Sequence, residues 1–257
     1  MLILLPPSEG KAAPRRGRPL DPAALSFPGL GDARARVLDA LVDLAGRDDA
    51  AAVLGLGATQ RDLVALDARL RTSATARAER IYTGVLYDAL GLGTLSPAAR
   101  RRATSRIAIV SSLFGLLRPG DRIPSYRLSG DTALPGLGPV AGVWRAALDP
   151  VVRDALGPGL LVDLRSTTYA AFWRPAADLA PRVATVRVLH EVDGRRQVVS
   201  HFNKATKGRL VRALLEDGRD PRTPGSLADL LRALGWKVEQ GDPTRTGTRL
   251  DVVVDAI

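Results

Sequence analysis

Apolar residues along this chain alternate between short unbroken runs and helically spaced sets. Met1 to Leu5 is an unbroken run stopped by Pro6-Pro7, which predicts a short buried strand. The proline-rich residues 12–30 hold few large apolar groups and predict an ordered loop across the surface. Val37, Leu38, Leu41, Val42 and Leu44 then recur at helical spacing, with Asp32 placed to cap that helix. Helical patterns follow over 49–54 and 58–71, and residues 81–90 combine a turn with a short helix. Ser96-Pro97 starts another helix, which carries Arg100, Arg101 and Arg102 and gives way to a strand over 106–110.

Residues 115–140 are rich in Gly and Pro and predict loops. Trp144 to Leu156 is helical, and Leu160 to Leu164 a buried strand. Val183 to Glu191 and Gln197 to Phe202 read as a hairpin turning at Asp193-Gly194. Ala205 to Leu215 and Leu227 to Leu234 are helical, and Leu250 to Val254 closes a sheet. Strands and helices mix without strict βαβ alternation, which predicts an α+β (mixed α/β) fold with a central mixed sheet and surrounding helices. No flexible stretch separates two apolar cores, so residues 1–257 are expected to form a single compact domain.

Composition removes several classes of function. There is no cysteine, hence no disulfide, thiol catalysis, zinc finger or iron–sulfur cluster. Two histidines and scattered carboxylates offer no metal set, and no cofactor is predicted. No apolar run is long enough to span a membrane, and the first residues lack the plan of a signal peptide. A cytoplasmic protein without a membrane partner is expected.

The net charge of +10 changes the picture further. Most of it sits in residues 96–130 and 187–212. On one face these stretches would form a basic cleft for a polyanion; on different faces they are merely solvated. Arginine outnumbers lysine so heavily that Lys11, Lys204, Lys207 and Lys237 stand out as positions where an ammonium is retained.

Four segments can carry chemistry. Ser8 and Lys11 follow the first strand in a loop that can present amides, a hydroxyl and an ammonium to a phosphate, although it also reads as an ordinary turn. Arg118, ahead of a proline, either projects from its loop or clamps it through Asp121, while Tyr126-Arg127 pairs a ring with a guanidinium. Arg165, Ser166 and Tyr169 lie past a strand's carboxyl end, where ligands collect; the simpler alternative is helix capping by Ser166 or Thr167 with an Asp163–Arg165 surface pair. Lys204, Lys207 and, about a turn further, Arg212 or Arg209 recur at helical neighbour spacing and would lie over one phosphate backbone or converge on one anion, with His201 either a nearby acid or base or simply a structural histidine ending a strand. Gly55-Leu56-Gly57 and Gly91-Leu92-Gly93 are imperfect matches to the turn of a helix-hairpin-helix element.

Taken together, MLILLPPSEGK, Ile81-Tyr82-Thr83-Gly84, LFGLLRPGDRIPSYRL (113–128), LVDLRSTTY (161–169) and HFNKATKGRLVR (201–212) resemble the YaaA family of bacterial peroxide stress proteins. The resemblance implies a compact α+β domain with a basic cleft and a helix-hairpin-helix element. It also implies binding of double-stranded or distorted DNA in cells coping with hydrogen peroxide. Matching positions are Lys11, Tyr82, Gly84, Gly115, Arg118, Pro119, Asp121, Tyr126, Arg127, Ser166, Tyr169, Lys204, Lys207, Gly208 and Arg212. Where the family more usually has Leu-Ala-Ser-x-Glu-Tyr, this chain has Leu164-Arg165-Ser166-Thr167-Thr168-Tyr169, losing a carboxylate and gaining a cation.

Two functions remain open from sequence. One is DNA binding through phosphate contacts. The other is an enzyme acting on a nucleotide-like or other anionic small molecule, or on a damaged base, with Lys11, Lys204, Lys207 and Tyr169 as candidate catalytic groups.

Overall fold

The computed structural model describes residues 1–192, 195–197 and 200–255. Its twelve described strands are β1 (Leu2–Leu5), β2 (Ala76–Arg77), β3 (Ile107–Ser111), β4 (Gly115–Leu117), β5 (Arg122–Ile123), β6 (Ala133–Leu134), β7 (Gly138–Pro139), β8 (Leu161–Asp163), β9 (Val183–Val192), β10 (Arg195–Gln197), β11 (Lys237–Thr244) and β12 (Gly247–Asp255). One mixed sheet runs in the order β11-β12-β9-β8-β1-β3-β4, with β10 added against β9. Its centre, from β12 through β9, β8 and β1 to β3, is parallel throughout. Strands covered on both faces need apolar residues at every position, which explains the unbroken LILL and IAIV runs. The antiparallel edge strand β11 escaped the sequence reading because only Val238 of its eight residues is buried, leaving no alternation to detect.

Among the described residues ten helices pack around the sheet: α1 (Gly31–Ala45), α2 (Ala50–Val53), α3 (Val64–Asp67), α4 (Ala78–Ile81), α5 (Val85–Leu90), α6 (Pro97–Arg106), α7 (Val140–Leu156), α8 (Thr167–Ala170), α9 (Ser200–Asp217) and α10 (Pro224–Ala233). This is the compact α+β architecture that the mixed patterning predicts. Ser96 caps α6 by accepting the Ala99 N–H at 3.2 Å. Among the described residues no helix is long and apolar enough to cross a membrane.

Several local expectations are corrected. Asp32 lies inside the first turn of α1 instead of capping it. The 58–71 pattern resolves into a 3-10 turn and the single turn α3, because Asp67 is drawn fully inside to accept the Arg127 N–H at 2.8 Å. Phe202 belongs to α9 and not to a strand, since Thr206, Leu210, Val211 and Leu214 are buried at helical spacing. The predicted Asp193-Gly194 turn lies outside the described residues.

Candidate functional site

In the sheet, β1 and β8 are neighbours whose chains depart in opposite directions. The next sheet strand after β1 is β3 on one side, and after β8 it is β9 on the other. Loops diverging from such a switch point leave a crevice beyond the strands' carboxyl ends, where open parallel sheets hold ligands. A cavity of about 290 Å³ opens there. Its walls are Pro6 to Gly10 after β1, Thr83 to Tyr87 entering α5, Ser166 and Tyr169 after β8, and Lys204 from α9.

The first two walls are tied by backbone. Thr83 N–H donates to Gly10 O at 3.1 Å, Ala12 N–H to Ile81 O at 2.8 Å, and the Ser8 hydroxyl to Thr83 O. Gly84 turns the chain into α5 at φ +104, a conformation that L side chains rarely adopt, and a Cβ there would stand 3.2 Å from the Ser8 hydroxyl. The Tyr87 hydroxyl donates to Pro6 O at 2.7 Å and fixes the far corner.

All four tyrosines of the chain gather at this place. Tyr87 and Tyr169 line the cavity, and Tyr82 and Tyr126 back it. Tyr82 and Tyr87 stack with ring centres 5.6 Å apart, and the Tyr126 hydroxyl bonds both Tyr82 and Ser111 at 2.9 Å. Burial pushes all four phenols above their ordinary pKa, so they stay neutral. They offer apolar faces and hydroxyls, not charge.

Beside them lies a group of ionisable residues. The Lys11 ammonium sits 4.4 Å from the centre of the Tyr126 ring, and burial brings its pKa down to about 8. Burial moves Asp67 the other way, to about 7, although the Arg127 backbone N–H, Lys11 and the Arg127 charge all oppose the rise. One Asp67 oxygen accepts from Arg127; the other, Oδ2, is buried without a partner. The Arg127 guanidinium is paired with Glu9 at 2.7 Å, so the cation over the tyrosine ring is Lys11 and not Arg127.

The β8 wall is held from within. Arg165 and Asp163 form a buried two-pronged pair at 2.9 and 2.7 Å, not a surface pair. Arg165 also donates to Tyr169 O at 3.3 Å and Trp173 O at 2.9 Å, while Lys207 Nζ donates to Leu164 O at 3.0 Å. These bonds fold the turn that presents Ser166 and Tyr169. Ser166 occupies the cap position of α8 with no side-chain bond, leaving its hydroxyl exposed at the cavity.

The structure thus brings Ser8, Tyr126, Lys11, Ser166, Tyr169, Arg165, Lys204 and Lys207 around one end of the sheet. The other sequence candidates are placed elsewhere. Arg118 donates to Ser105 O and Ile107 O and covers the Phe27 ring; Asp121 takes only its backbone N–H. Arg212 turns from the expected row to satisfy the carbonyls of Leu90, Gly91 and Thr94, which also occupies the Gly91-Leu92-Gly93 turn. Arg209 stays exposed on α9, whereas Lys207 points inward, so the row expected of Lys204, Lys207 and Arg212 or Arg209 is not presented on one face. The His201 side chain is outside the described residues. Asp67 and Tyr87 escaped the sequence reading. Asp67 was hidden in a helical pattern, but the rarity of tyrosine in this chain was a usable signal for Tyr87.

Fold and site together define an α+β protein with a tyrosine-rich cavity at the switch point of a largely parallel sheet. A family model described as "Peroxide stress protein YaaA" matches residues 1–241, and the chain belongs to this family. It is 51% identical to a UPF0246 protein of Streptomyces coelicolor over the full length of both chains. It is 45% identical to a UPF0246 protein of Corynebacterium efficiens, over 93% of this chain and 95% of that one. A UPF0246 protein of Corynebacterium glutamicum is 40% identical over the same shares.

Proposed function

We propose that this chain is a DNA-binding protein of the peroxide response that takes an unstacked or damaged base into the cavity between the β1, α5 and β8 loops. The observation that carries the reading is the gathering of all four tyrosines, neutral and buried, around a cavity of about 290 Å³ with the exposed Lys204 at its rim. Proteins that read an extruded base stack it against aromatic or apolar side chains and bond its polar edge. Here Tyr87, Tyr169 and the apolar Pro6, Pro7 and Val85 supply the faces, and Ser8, Thr83 and Ser166 supply the hydroxyls. Lys204 supplies a cation for the flanking phosphate.

The distribution of cations favours this reading over a broad basic groove. In residues 96–130 all arginines but Arg101 bond protein acceptors or pair with protein carboxylates. Phosphate contacts from this stretch are therefore few, and discrimination among DNAs is assigned to the cavity. The Gly55-Leu56-Gly57 turn offers one more contact of the helix-hairpin-helix kind. Both glycines are exposed with open space where a Cβ would stand, and the Gly57 N–H is the amide that can face a phosphate, since those of Gly55 and Leu56 donate to Ala52 O and Ala51 O.

The test is binding of three fluorescent duplexes at physiological salt: fully paired, carrying one bulged base, and carrying one abasic site. At least ten-fold tighter binding of the two distorted duplexes is expected. Equal affinity for all three contradicts the proposal. Competition by a free nucleoside monophosphate, without any preference among duplexes, would instead assign the cavity to a small nucleotide-like molecule.

A further inference from the structure

Resting on the DNA reading above, we infer that Lys11 is an amine nucleophile that forms an imine with an aldehyde brought to the cavity, the ring-opened deoxyribose of an abasic site being the aldehyde a DNA ligand supplies.

Four observations carry this. First, Lys11 follows Glu9 and Gly10, which line the cavity, and it is half-buried instead of reaching into solvent. Second, among the described residues its ammonium has no hydrogen bond or ion pair; its contact is the face of Tyr126. That ring is held by its hydroxyl bonds to Tyr82 and Ser111, so the amine rests on a fixed platform. Third, Asp67, whose charge acts on Lys11, keeps a buried oxygen with no partner among the described residues, open to a group brought to the amine. Fourth, the amine and the carboxyl are shifted toward each other's range, to about 8 and about 7, so the neutral amine and the protonated acid are together accessible to a minor fraction of molecules near neutrality. An arginine could not do this, since its guanidinium keeps its proton. The other lysines differ in setting: Lys207 bonds Leu164 O, Lys237 lies by Glu191, and Lys204 is exposed.

The step balances within the named groups. Neutral Nζ attacks the aldehyde carbon, forming a C–N bond as the C=O π bond breaks, and one proton passes from the nitrogen to the oxygen, which becomes a hydroxyl. The Asp67 carboxyl protonates that hydroxyl, which leaves as water and gives an iminium. Asp67 then takes back the N–H proton, leaving the imine and a restored acid.

The experiment incubates the full chain with a fluorescent duplex carrying one abasic site in the presence of sodium borohydride, which reduces an imine to a stable secondary amine. A covalent protein–DNA adduct mapped to the Lys11 peptide is expected. Lys11→Arg should bind the abasic duplex yet lose the adduct, Asp67→Asn should slow trapping at least ten-fold, and Lys237→Arg should trap normally. An adduct undiminished in Lys11→Arg, or its absence from wild type that binds the abasic duplex, overturns the inference and leaves the DNA reading standing. If wild type binds no duplex, the DNA reading fails and the amine is probed alone with pyridoxal 5′-phosphate and borohydride. Selective labelling of Lys11 then supports the nucleophile, and labelling spread evenly over Lys204, Lys237 and the amino terminus overturns it.

Discussion

Lys11 and Asp67 are displaced in opposite directions by the same cause, removal from water, and the displacement has a cost that can be measured. Asp67 holds its proton up to about pH 7 when folded, whereas an ordinary aspartate releases it near 3.8. Between those values the folded state binds more protons, so stability falls as pH rises. Lys11 titrates near 8 instead of 10.5, so between those values the unfolded state binds more protons and stability rises with pH. Urea unfolding from pH 4 to 7 should show the decline in wild type and a flatter profile in Asp67→Asn. An unchanged slope would mean that Asp67 is solvated. The Asp163–Arg165 pair behaves differently, because each partner satisfies the other. Arg165 holds the Asp163 carboxyl below the ordinary range against its burial. Arg165→Met strands that carboxylate and should cost about 3–5 kcal/mol at neutral pH. A loss under 1 kcal/mol would show that water reaches Asp163. At this scale the sequence was a poor guide to arginine. Arg127 and Arg212 read as anion contacts, and Arg118 as either that or a loop clamp, yet their forked donors bind loop carbonyls or Glu9, and composition cannot distinguish these uses.

Elements were more legible than contacts. Unbroken apolar runs marked the buried strands β1, β3 and β8, and cap and proline signals marked α6, because burial and backbone chemistry act locally. What stayed hidden was long-range: strand order, and therefore the switch point, follows from which loops cross over, and no local spacing encodes that. Gly208 illustrates the join between elements. It brings α9 so close to α5 that a Cβ would stand 2.3 Å from Leu86 O and 2.9 Å from both Ala89 Cβ and Leu90 N. Gly208→Ala must push α5 outward, and overpacking of this kind costs about 1–3 kcal/mol. For a chain of this size that is a melting temperature lower by at least 2 °C. Because Leu86 and Tyr87 of α5 border the cavity, ligand affinity should fall too. A melting temperature equal to wild type would show that the helices part without cost.

For the molecule as a whole, charge and shape make separable claims. Net charge alone suggests a strongly salt-dependent polyanion binder. In the stretches richest in cations, however, Arg101, Lys204 and Arg209 are the exposed groups without an intramolecular partner among those described. Each neutralised phosphate contributes about 0.9 to the slope of log affinity against log salt, so contacts made by these three groups give a slope of about −3, and a slope of about −6 or steeper would mean that arginines outside the two stretches also meet the backbone. Salt titration with the bulged duplex checks this. The most direct test of the central claim is to close the cavity without disturbing the fold. Ser166 is exposed, lines the cavity and caps nothing with its side chain, so Ser166→Trp should fold normally while filling the opening. The measurement is the ratio of affinities for bulged and fully paired duplex. A ratio of at least ten is expected in wild type and near one in Ser166→Trp; a ratio unchanged by the plug would contradict base capture in this cavity.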